Sequence, residues 1–310
     1  MKKIIITIVI MILGILCITG CEKNNNEKGL IINSTSFPGY DFARAITKDN
    51  AKIKMLLKPG TEMHTFEPTP QDIKDIKNSD LFIYVGGDSD EWINNILDNI
   101  DTNKTKIIKL MDLVNVVEEE HIEGMEEKEE TEEEVEYDEH VWTSPINAIT
   151  IINKIKDEII KLDPNNKDIY EKNAQEYINK ISNIDSQIKE IVENGKRREI
   201  IFGDRFPLRY FVDEYNISYY AAFPGCAEQT EASAKTLTFL INKVKEDNIP
   251  VIFQIELSSG KIAKAISSET GAKVLEFKSA HNISQKDYDA GVTYIDIMND
   301  NITVLKEALN

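Results

Sequence analysis

Cysteine is scarce in this chain of 310 residues, which contains only three. Two of them, Cys17 and Cys21, lie close to the N-terminus, so Cys226 is the one cysteine in the rest of the chain. A single thiol has no partner for an internal disulfide, and we therefore expect stability to come from the burial of apolar side chains. With 41% hydrophobic residues, the chain is long enough to form two ordinary domains with proper cores.

Basic residues are also in deficit, with 36 Lys and Arg against 54 Asp and Glu and a net charge of −18. No basic stripe is present that would neutralise phosphates, so nucleic acid is not expected as a partner. The acidity is local, because fourteen acidic residues and one Lys fall between Glu118 and Glu139. Such a segment is disordered by default, and we expect residues 117–139 to form a solvated loop that concentrates cations weakly.

One long apolar run occurs, from Ile4 to Ile18, and two lysines precede it. A basic start, a short apolar segment and small residues before a cleavage point are typical of a secretory signal rather than of a membrane span. Residues 1–20 are therefore predicted to be a signal peptide. The polar residues 21–28 have no periodicity and are predicted to be a tether.

The end of the apolar run, Ile18-Thr19-Gly20-Cys21, resembles the lipobox of bacterial lipoproteins. The resemblance implies that Cys21 becomes the lipidated first residue of the mature protein. A permanent N-terminal anchor is the alternative, and it would also leave the protein on the outer face of the membrane.

The longest helical pattern runs from Asp163 to Gly195. Its apolar residues recur at steps of four and three, which places them on one stripe of a helix: Tyr170, Ala174, Tyr177, Ile181, Ile184, Ile188 and Ile191. Asp163 suits the N-cap, Pro164 the first turn and Gly195 the C-terminal end. Such a helix is roughly 45 Å long, more than a crossover within one sheet needs. We predict that residues 163–195 form a helix that links two lobes.

Short β-type runs alternate with helical segments on both sides of this helix. Strands are predicted at residues 30–32, 52–57, 81–85, 106–110, 199–202, 218–223, 251–255 and 273–277. This alternation favours parallel sheets covered by helices. We therefore predict an α/β fold of two (β/α) lobes, residues 29–162 and 196–310, with mainly parallel sheets joined by one long rigid helix. Ligands in such sheets sit beyond the carboxyl ends of the strands.

The chain has four histidines, and three of them lie at junctions between predicted elements. His64 follows the strand at 52–57, His140 immediately precedes a helix, and His281 follows the strand at 273–277. The fourth, His121, lies in the acidic segment. An isolated histidine is more often a hydrogen-bonded surface residue than a metal ligand, so position alone leaves both interpretations open.

A fourth donor is predicted at Asp204, which follows the strand at 199–202. Together with the three junction histidines it would supply two donors from each lobe to a shared cleft. Asp204 is equally suited to cap a helix that begins near Phe206. Glu256 and Cys226, which also follow predicted strands, are rival donors, although a free cysteine is more commonly a small buried hydrophobic residue.

Several motifs carry a resemblance that covers essentially the whole mature chain. They are Pro59-Gly60 through His64 to Thr69-Pro70, Ser79-Asp80-Leu81, Asp138-x-His140-Val141-Trp142 with Pro145, and Asp163-Pro164 followed by Tyr170 and Asn173. In these motifs the chain resembles the zinc- and manganese-binding solute receptors of bacterial ABC importers. The resemblance implies two α/β lobes joined by a rigid helix, with a metal ion between them.

Carried over to this chain, the first two ligands of that family fall on His64 and His140. The third falls near Asp204 and the fourth on His281. Zinc-binding members tend to have His third and Asp fourth, so this chain preserves the ligand types with the order exchanged.

Three imidazoles and one carboxylate suit a tetrahedral Zn²⁺ site, whereas Mn²⁺ prefers more oxygen donors. Four protein donors leave no position for a water molecule, and a His-Glu-x-x-His motif is absent. We therefore expect a carrier of metal and not an enzyme.

The resemblance implies a receptor that delivers zinc to an ABC permease and its ATPase. The receptor would be lipid-anchored at the outer face of the bacterial cytoplasmic membrane. A manganese receptor is the alternative, and a surface adhesin or a metallohydrolase with Glu256 as its base are more remote ones.

Overall fold

Two sheets of four parallel strands form the framework of the computed structural model, which describes residues 29–63, 65–126, 136–227 and 231–310. The first sheet contains β1 (Leu30–Ser34), β2 (Ala51–Met55), β3 (Leu81–Tyr84) and β4 (Lys106–Lys109), in the order β2-β1-β3-β4. The second contains β5 (Glu199–Phe206), β6 (Ser218–Pro224), β7 (Val251–Gln254) and β8 (Lys273–Glu276), in the order β6-β5-β7-β8. The order in which the chain adds strands changes side between β1 and β3 in the first sheet and between β5 and β7 in the second. A crevice is expected at the carboxyl ends of the strands at each of these points.

The helices connect these strands and cover the sheets. They are α1 (Phe37–Thr47), α2 (Pro70–Lys77), α3 (Asn94–Leu97), α4 (Pro145–Leu162), α5 (Lys167–Asn194), α6 (Arg209–Tyr215), α7 (Ala234–Glu246), α8 (Lys261–Thr270), α9 (Gln285–Asp289) and α10 (Tyr294–Leu309). The predicted α/β class, with two lobes and one long connecting helix, is confirmed. Within the described part of the chain, no helix has the length and apolarity needed to cross a membrane.

Three helical regions of the structure are short or interrupted. The segment after β3 folds as a 3₁₀ turn, Asp88–Ile93, followed by the single turn of α3. The closing helix is divided into α9 and α10, with Gly291 at φ +73° in the connection. Helix α6 begins at Arg209 because β5 continues through Phe206.

The linking helix α5 begins at Lys167, since Pro164–Asn166 form a 3₁₀ turn. Asp163 accepts hydrogen bonds from Asn166 and from the Tyr170 hydroxyl, which secures this turn. The predicted apolar stripe is buried as far as Ile188. At the last turn Val192 is buried and Ile191 only partly so. The residue limits assigned to the two lobes stay a prediction, and residues 1–28, with the predicted signal peptide, Cys21 and tether, lie outside the described residues.

One buried carboxylate joins both lobes to the linking helix. Asp41, on α1, is fully buried and forms an ion pair with Arg44. It also accepts hydrogen bonds from the Tyr177 hydroxyl of α5 and, at 2.9 Å, from the Tyr294 N–H at the start of α10. Burial raises the pKa of Asp41, and these donors oppose that rise. A buried carboxylate is costly unless it keeps its donors. The Asp41 carboxylate therefore holds the two lobes and the linking helix in one arrangement.

Tyr177→Phe is expected to lower the free energy of unfolding by about 1.5–3 kcal/mol, because a buried carboxylate loses one of its donors. Tyr170→Phe is the matched control, since its acceptor Asp163 is only half-buried and keeps the Asn166 amide. Equilibrium unfolding in denaturant measures the change in the free energy of unfolding for both variants. A loss for Tyr177→Phe no larger than that for Tyr170→Phe would contradict the role given to Asp41.

Candidate metal centre

His140 lies directly before a 3₁₀ turn, Val141–Thr143, that leads into α4, and it is fully buried. The Asp138 carboxylate accepts a hydrogen bond from the His140 N–H at 2.8 Å and lies 3.1 Å from Nδ1. Burial lowers the pKa of His140, but the Asp138 and Glu139 carboxylates outweigh it and hold the pKa above its usual value. A carboxylate on one ring nitrogen orients the imidazole so that the other nitrogen, Nε2, is the metal donor.

Glu139 was not predicted as a site residue, yet it lies in the same cluster and is fully buried. Its carboxylate accepts hydrogen bonds from Ser89, through the N–H at 3.2 Å and through the hydroxyl. Burial raises its pKa to about 7, although the neighbouring His140 charge lowers it. Gly87, at φ +72°, permits this close approach, because a Cβ there would lie 2.7 Å from a Glu139 oxygen.

His281 belongs to a loop after β8 that the Glu256 carboxylate organises. Glu256 accepts from the Ser279 N–H and hydroxyl, both at 2.7 Å, and from the His281 N–H at 3.2 Å. Ala280, at φ +59°, adopts a left-handed conformation that costs energy for a non-glycine residue. The Trp142 indole N–H donates to Ser279 O at 2.8 Å, which ties this loop to the N-terminal lobe.

The two histidines and Glu139 converge between the lobes. The His140 and His281 rings are 4.9 Å apart between centroids. Glu139, His140 and His281 each offer a ligand atom, and these atoms lie within 4.8 Å of one another. Across the described ranges, this is the one group of three or more His, Cys, Asp or Glu side chains with that geometry. The cleft in front of it is lined by residues that include Glu62, Met63, Arg205 and Asn282.

His64 lies outside the described residues, so its role as a donor stays a prediction. The preceding residue, Met63, is buried, and its sulfur lies 2.6 Å from His281 Nε2. The chain therefore reaches the cleft at the position before the predicted ligand.

Asp204 is not brought into the group of Glu139, His140 and His281. Its carboxylate accepts hydrogen bonds from the Arg205 N–H at 2.9 Å, from the Ile255 N–H at 3.4 Å and from the Ser258 side chain. Burial raises the pKa of Asp204, and these donors oppose the rise. The bonds tie the end of β5 to the end of β7. The alternative that Asp204 caps a helix near Phe206 is wrong, because α6 begins at Arg209. Its assignment as a metal donor stays a prediction.

Of the two rival donors, Glu256 is engaged in the C-terminal lobe. Both oxygens of Glu256 hold the His281 loop. Burial raises the pKa of the Cys226 thiol well above its usual value, and the Glu139 and Asp138 carboxylates raise it further. Cys226 is not part of the group formed by Glu139, His140 and His281, and its assignment as a rival donor stays a prediction.

The acidic segment is not simply solvated. Its two ends pair, with the Glu119 N–H donating to Glu136 O at 2.9 Å. Residues 127–135 lie outside the described residues. The expectation of a solvated loop is wrong for the first part of the segment, in which Met125 is buried.

This part of the segment binds the edge of the second sheet. The Glu126 N–H donates to Ala222 O of the edge strand β6 at 3.0 Å. The Glu119 carboxylate accepts from the Cys226 N–H at 2.8 Å. Charge density alone did not predict these contacts, because they depend on a strand edge in the other lobe.

The family model described as "Zinc-uptake complex component A periplasmic" matches residues 32–308. The high-affinity zinc uptake system protein ZnuA of Bacillus subtilis is 33% identical over 291 residues, which cover 94% of this chain and 90% of that protein. The zinc-binding lipoprotein AdcA of Streptococcus pneumoniae is 30% identical over 309 residues, 99% of this chain, but the match spans only 61% of that longer relative.

A solved structure agrees with the sequence matches. The Zn(II)-bound ZnuA-like domain of Streptococcus pneumoniae AdcA has a TM-score of 0.75 and 28% sequence identity, over 91% of this chain and 99% of that chain. The family model and the Bacillus subtilis relative both extend over nearly the whole chain and include both lobes and the linking helix. This chain therefore belongs to the family of the periplasmic zinc-uptake complex component A.

Proposed function

We propose that this chain is an extracellular receptor that captures Zn²⁺ between its two lobes and delivers it to an ABC importer. The observation that carries the proposal is the convergence of Glu139, His140 and His281 between the lobes, with ligand atoms within 4.8 Å of one another. Two of these side chains come from the N-terminal lobe and one from the C-terminal lobe. A site divided in this way suits a cargo that must later be released.

The proposed donor set is His64, His140, His281 and one carboxylate. Glu139 is favoured as that carboxylate because one of its oxygens lies in the cluster, whereas the Asp204 carboxylate ties the end of β5 to the end of β7. Imidazole nitrogens with one carboxylate oxygen match the four-coordinate preference of Zn²⁺. A manganese receptor is the alternative, and it would be expected to use more oxygen donors.

Transport is favoured over catalysis because four protein donors close the coordination sphere. Catalytic zinc sites keep a position for water or substrate. Glu256, the residue nominated as the base of a hydrolase, has both oxygens bonded to the Ser279–His281 loop. Release of the ion to the permease would require one of the donors to move away.

The proposed location is the outer face of the bacterial cytoplasmic membrane, with a lipid on Cys21. The Ile18-Thr19-Gly20-Cys21 sequence and the description of the Streptococcus pneumoniae relative as a lipoprotein support this location. The proposed partners are a membrane permease and its ATPase.

His140→Ala and His281→Ala are each expected to weaken zinc binding by at least about a hundredfold, since loss of residues that only orient ligands already costs about 10–100-fold. Competition with a chromophoric chelator measures the affinity, and circular dichroism checks that each variant is folded. His121→Ala is the matched control, because His121 is exposed and lies outside the cluster. Folded His140 and His281 variants that bind zinc as tightly as His121→Ala would refute the proposed receptor.

Glu139→Gln and Asp204→Asn distinguish the two candidate carboxylates. If Glu139 is the donor, Glu139→Gln lowers zinc affinity by about 10–100-fold, while Asp204→Asn changes thermal stability more than affinity. Both substitutions preserve side-chain shape, so the comparison isolates the charged oxygen. The reverse order of effects would identify Asp204 as the ligand, as the sequence predicts.

A further inference from the structure

Two loops from opposite lobes are hydrogen-bonded to each other beside the metal cluster. The first is Lys58–Met63, which follows β2 and ends just before the predicted ligand His64. The second is Ser279–Ile283, which carries His281. The Gly60 N–H donates to Ile283 O at 2.7 Å, a backbone bond between the lobes.

Asn282 strengthens this junction with its side-chain amide. The Nδ2 group donates to Lys58 O at 2.9 Å and to Thr61 O at 2.7 Å. Its Oδ1 atom accepts from the Ile283 N–H at 2.8 Å, and the residue is only 3% exposed. The buried amide thus donates to two carbonyl groups of the other lobe. Loss of the amide would leave both carbonyls without this donor.

An ion pair crosses the same cleft. The Arg205 guanidinium at the end of β5 lies 2.7 Å from the Glu62 carboxylate, with 12% of the arginine side chain and 40% of the glutamate side chain exposed. Both residues line the cleft together with His140 and His281. Because Glu62 is partly exposed, solvent screens the pair and we expect it to contribute less than Asn282.

We propose that Asn282 and the Glu62–Arg205 ion pair form an interlobe clamp that sets how fast the bound metal leaves. The inference rests on the proposed function and identifies positioning residues for it. Asn282 follows His281 directly, and the loop that it holds ends at the residue before His64. Separation of the two loops would therefore move donors of the two lobes apart.

The rest of the structure favours local opening over hinge motion. The linking helix is fastened to α1 by Tyr177 and to α6 by the Tyr215 hydroxyl, which donates to Asp185 at 3.0 Å. By contrast, Lys58, Gly60, Thr61 and Glu62 are exposed, and a Cβ placed on Gly60 would meet no other atom within 4 Å. This loop is therefore the element that opens when the clamp is released.

The experiment follows zinc dissociation from the complete zinc-loaded chain after rapid mixing with excess chromophoric chelator. Asn282→Ala is expected to raise the dissociation rate by about tenfold, because two hydrogen bonds between the lobes are lost. The association rate should stay within about twofold, since affinity changes between related complexes arise mostly in dissociation.

Asn33→Ala is the matched control. Asn33 is 2% exposed, and its amide donates to Asp75 O at 2.9 Å entirely within the N-terminal lobe. Its loss should lower thermal stability without changing the zinc dissociation rate. A general loss of stability would affect both variants, whereas a clamp affects only Asn282→Ala.

Arg205→Gln supplies an independent test, which is needed if Asn282→Ala fails to fold. Position 205 should tolerate substitution better than the buried position 282. It is expected to raise the dissociation rate by about threefold, an effect that fades at high salt. Exchange of the charges, Glu62→Arg with Arg205→Glu, should restore the slow rate.

The outcomes separate the two proposals. If the unaltered chain retains no zinc, both the receptor and the clamp are refuted. If it retains zinc and folded Asn282→Ala and Arg205→Gln release zinc no faster than Asn33→Ala, the clamp alone is overturned. Faster release from either variant, with an unchanged rate for the control, supports the clamp.

Discussion

The buried carboxylate of Asp41, on α1, binds both the linking helix α5 and the start of α10, and this contact fixes the distance between the two lobes. Its partners Tyr177 and Tyr294 come from the linking helix and the C-terminal lobe. A buried carboxylate is costly unless its donors stay in place, so the contact resists wide separation of the lobes. The ligand side chains on the two sides of the cleft therefore meet in a geometry that is established before metal arrives. This preorganisation reduces the entropic cost of binding.

The proposed donors are held by neighbouring residues outside the cluster. Asp138 orients His140, Ser89 holds Glu139, and Glu256 shapes the His281 loop. The C-terminal lobe also supports Asp138, whose carbonyl accepts a hydrogen bond from the Tyr210 hydroxyl at 2.6 Å. Each of these side chains is thus held by contacts within its own lobe, and the Tyr210–Asp138 bond adds one contact between the lobes. With the lobes fixed, release depends on the loops around the cleft, which explains why a clamp between two such loops would control its rate.

The sequence predicted the architecture well because the signals were local. The strand and helix alternation and the stripe on α5 follow from periodicity, and His140 and His281 were placed together by their positions at element junctions. Glu139 was missed because its anchor, Ser89, is fifty residues away and only the fold brings them together. The bonds of Asp204 could not be predicted from the sequence for a related reason. Strand β5 shifts register between Phe202 and Arg205, and the Asp204 carboxylate reaches the Ile255 N–H of the neighbouring strand.

X-ray absorption at the zinc edge, on the complete chain loaded with one equivalent of zinc, tests the shared site most directly. The expected result is three imidazole nitrogens and one carboxylate oxygen at about 2.0–2.2 Å. In His281→Ala the imidazole count should fall by one, because that ligand comes from the C-terminal lobe. An oxygen-rich shell, or an imidazole count that does not change in His281→Ala, would contradict a zinc ion held between the two lobes.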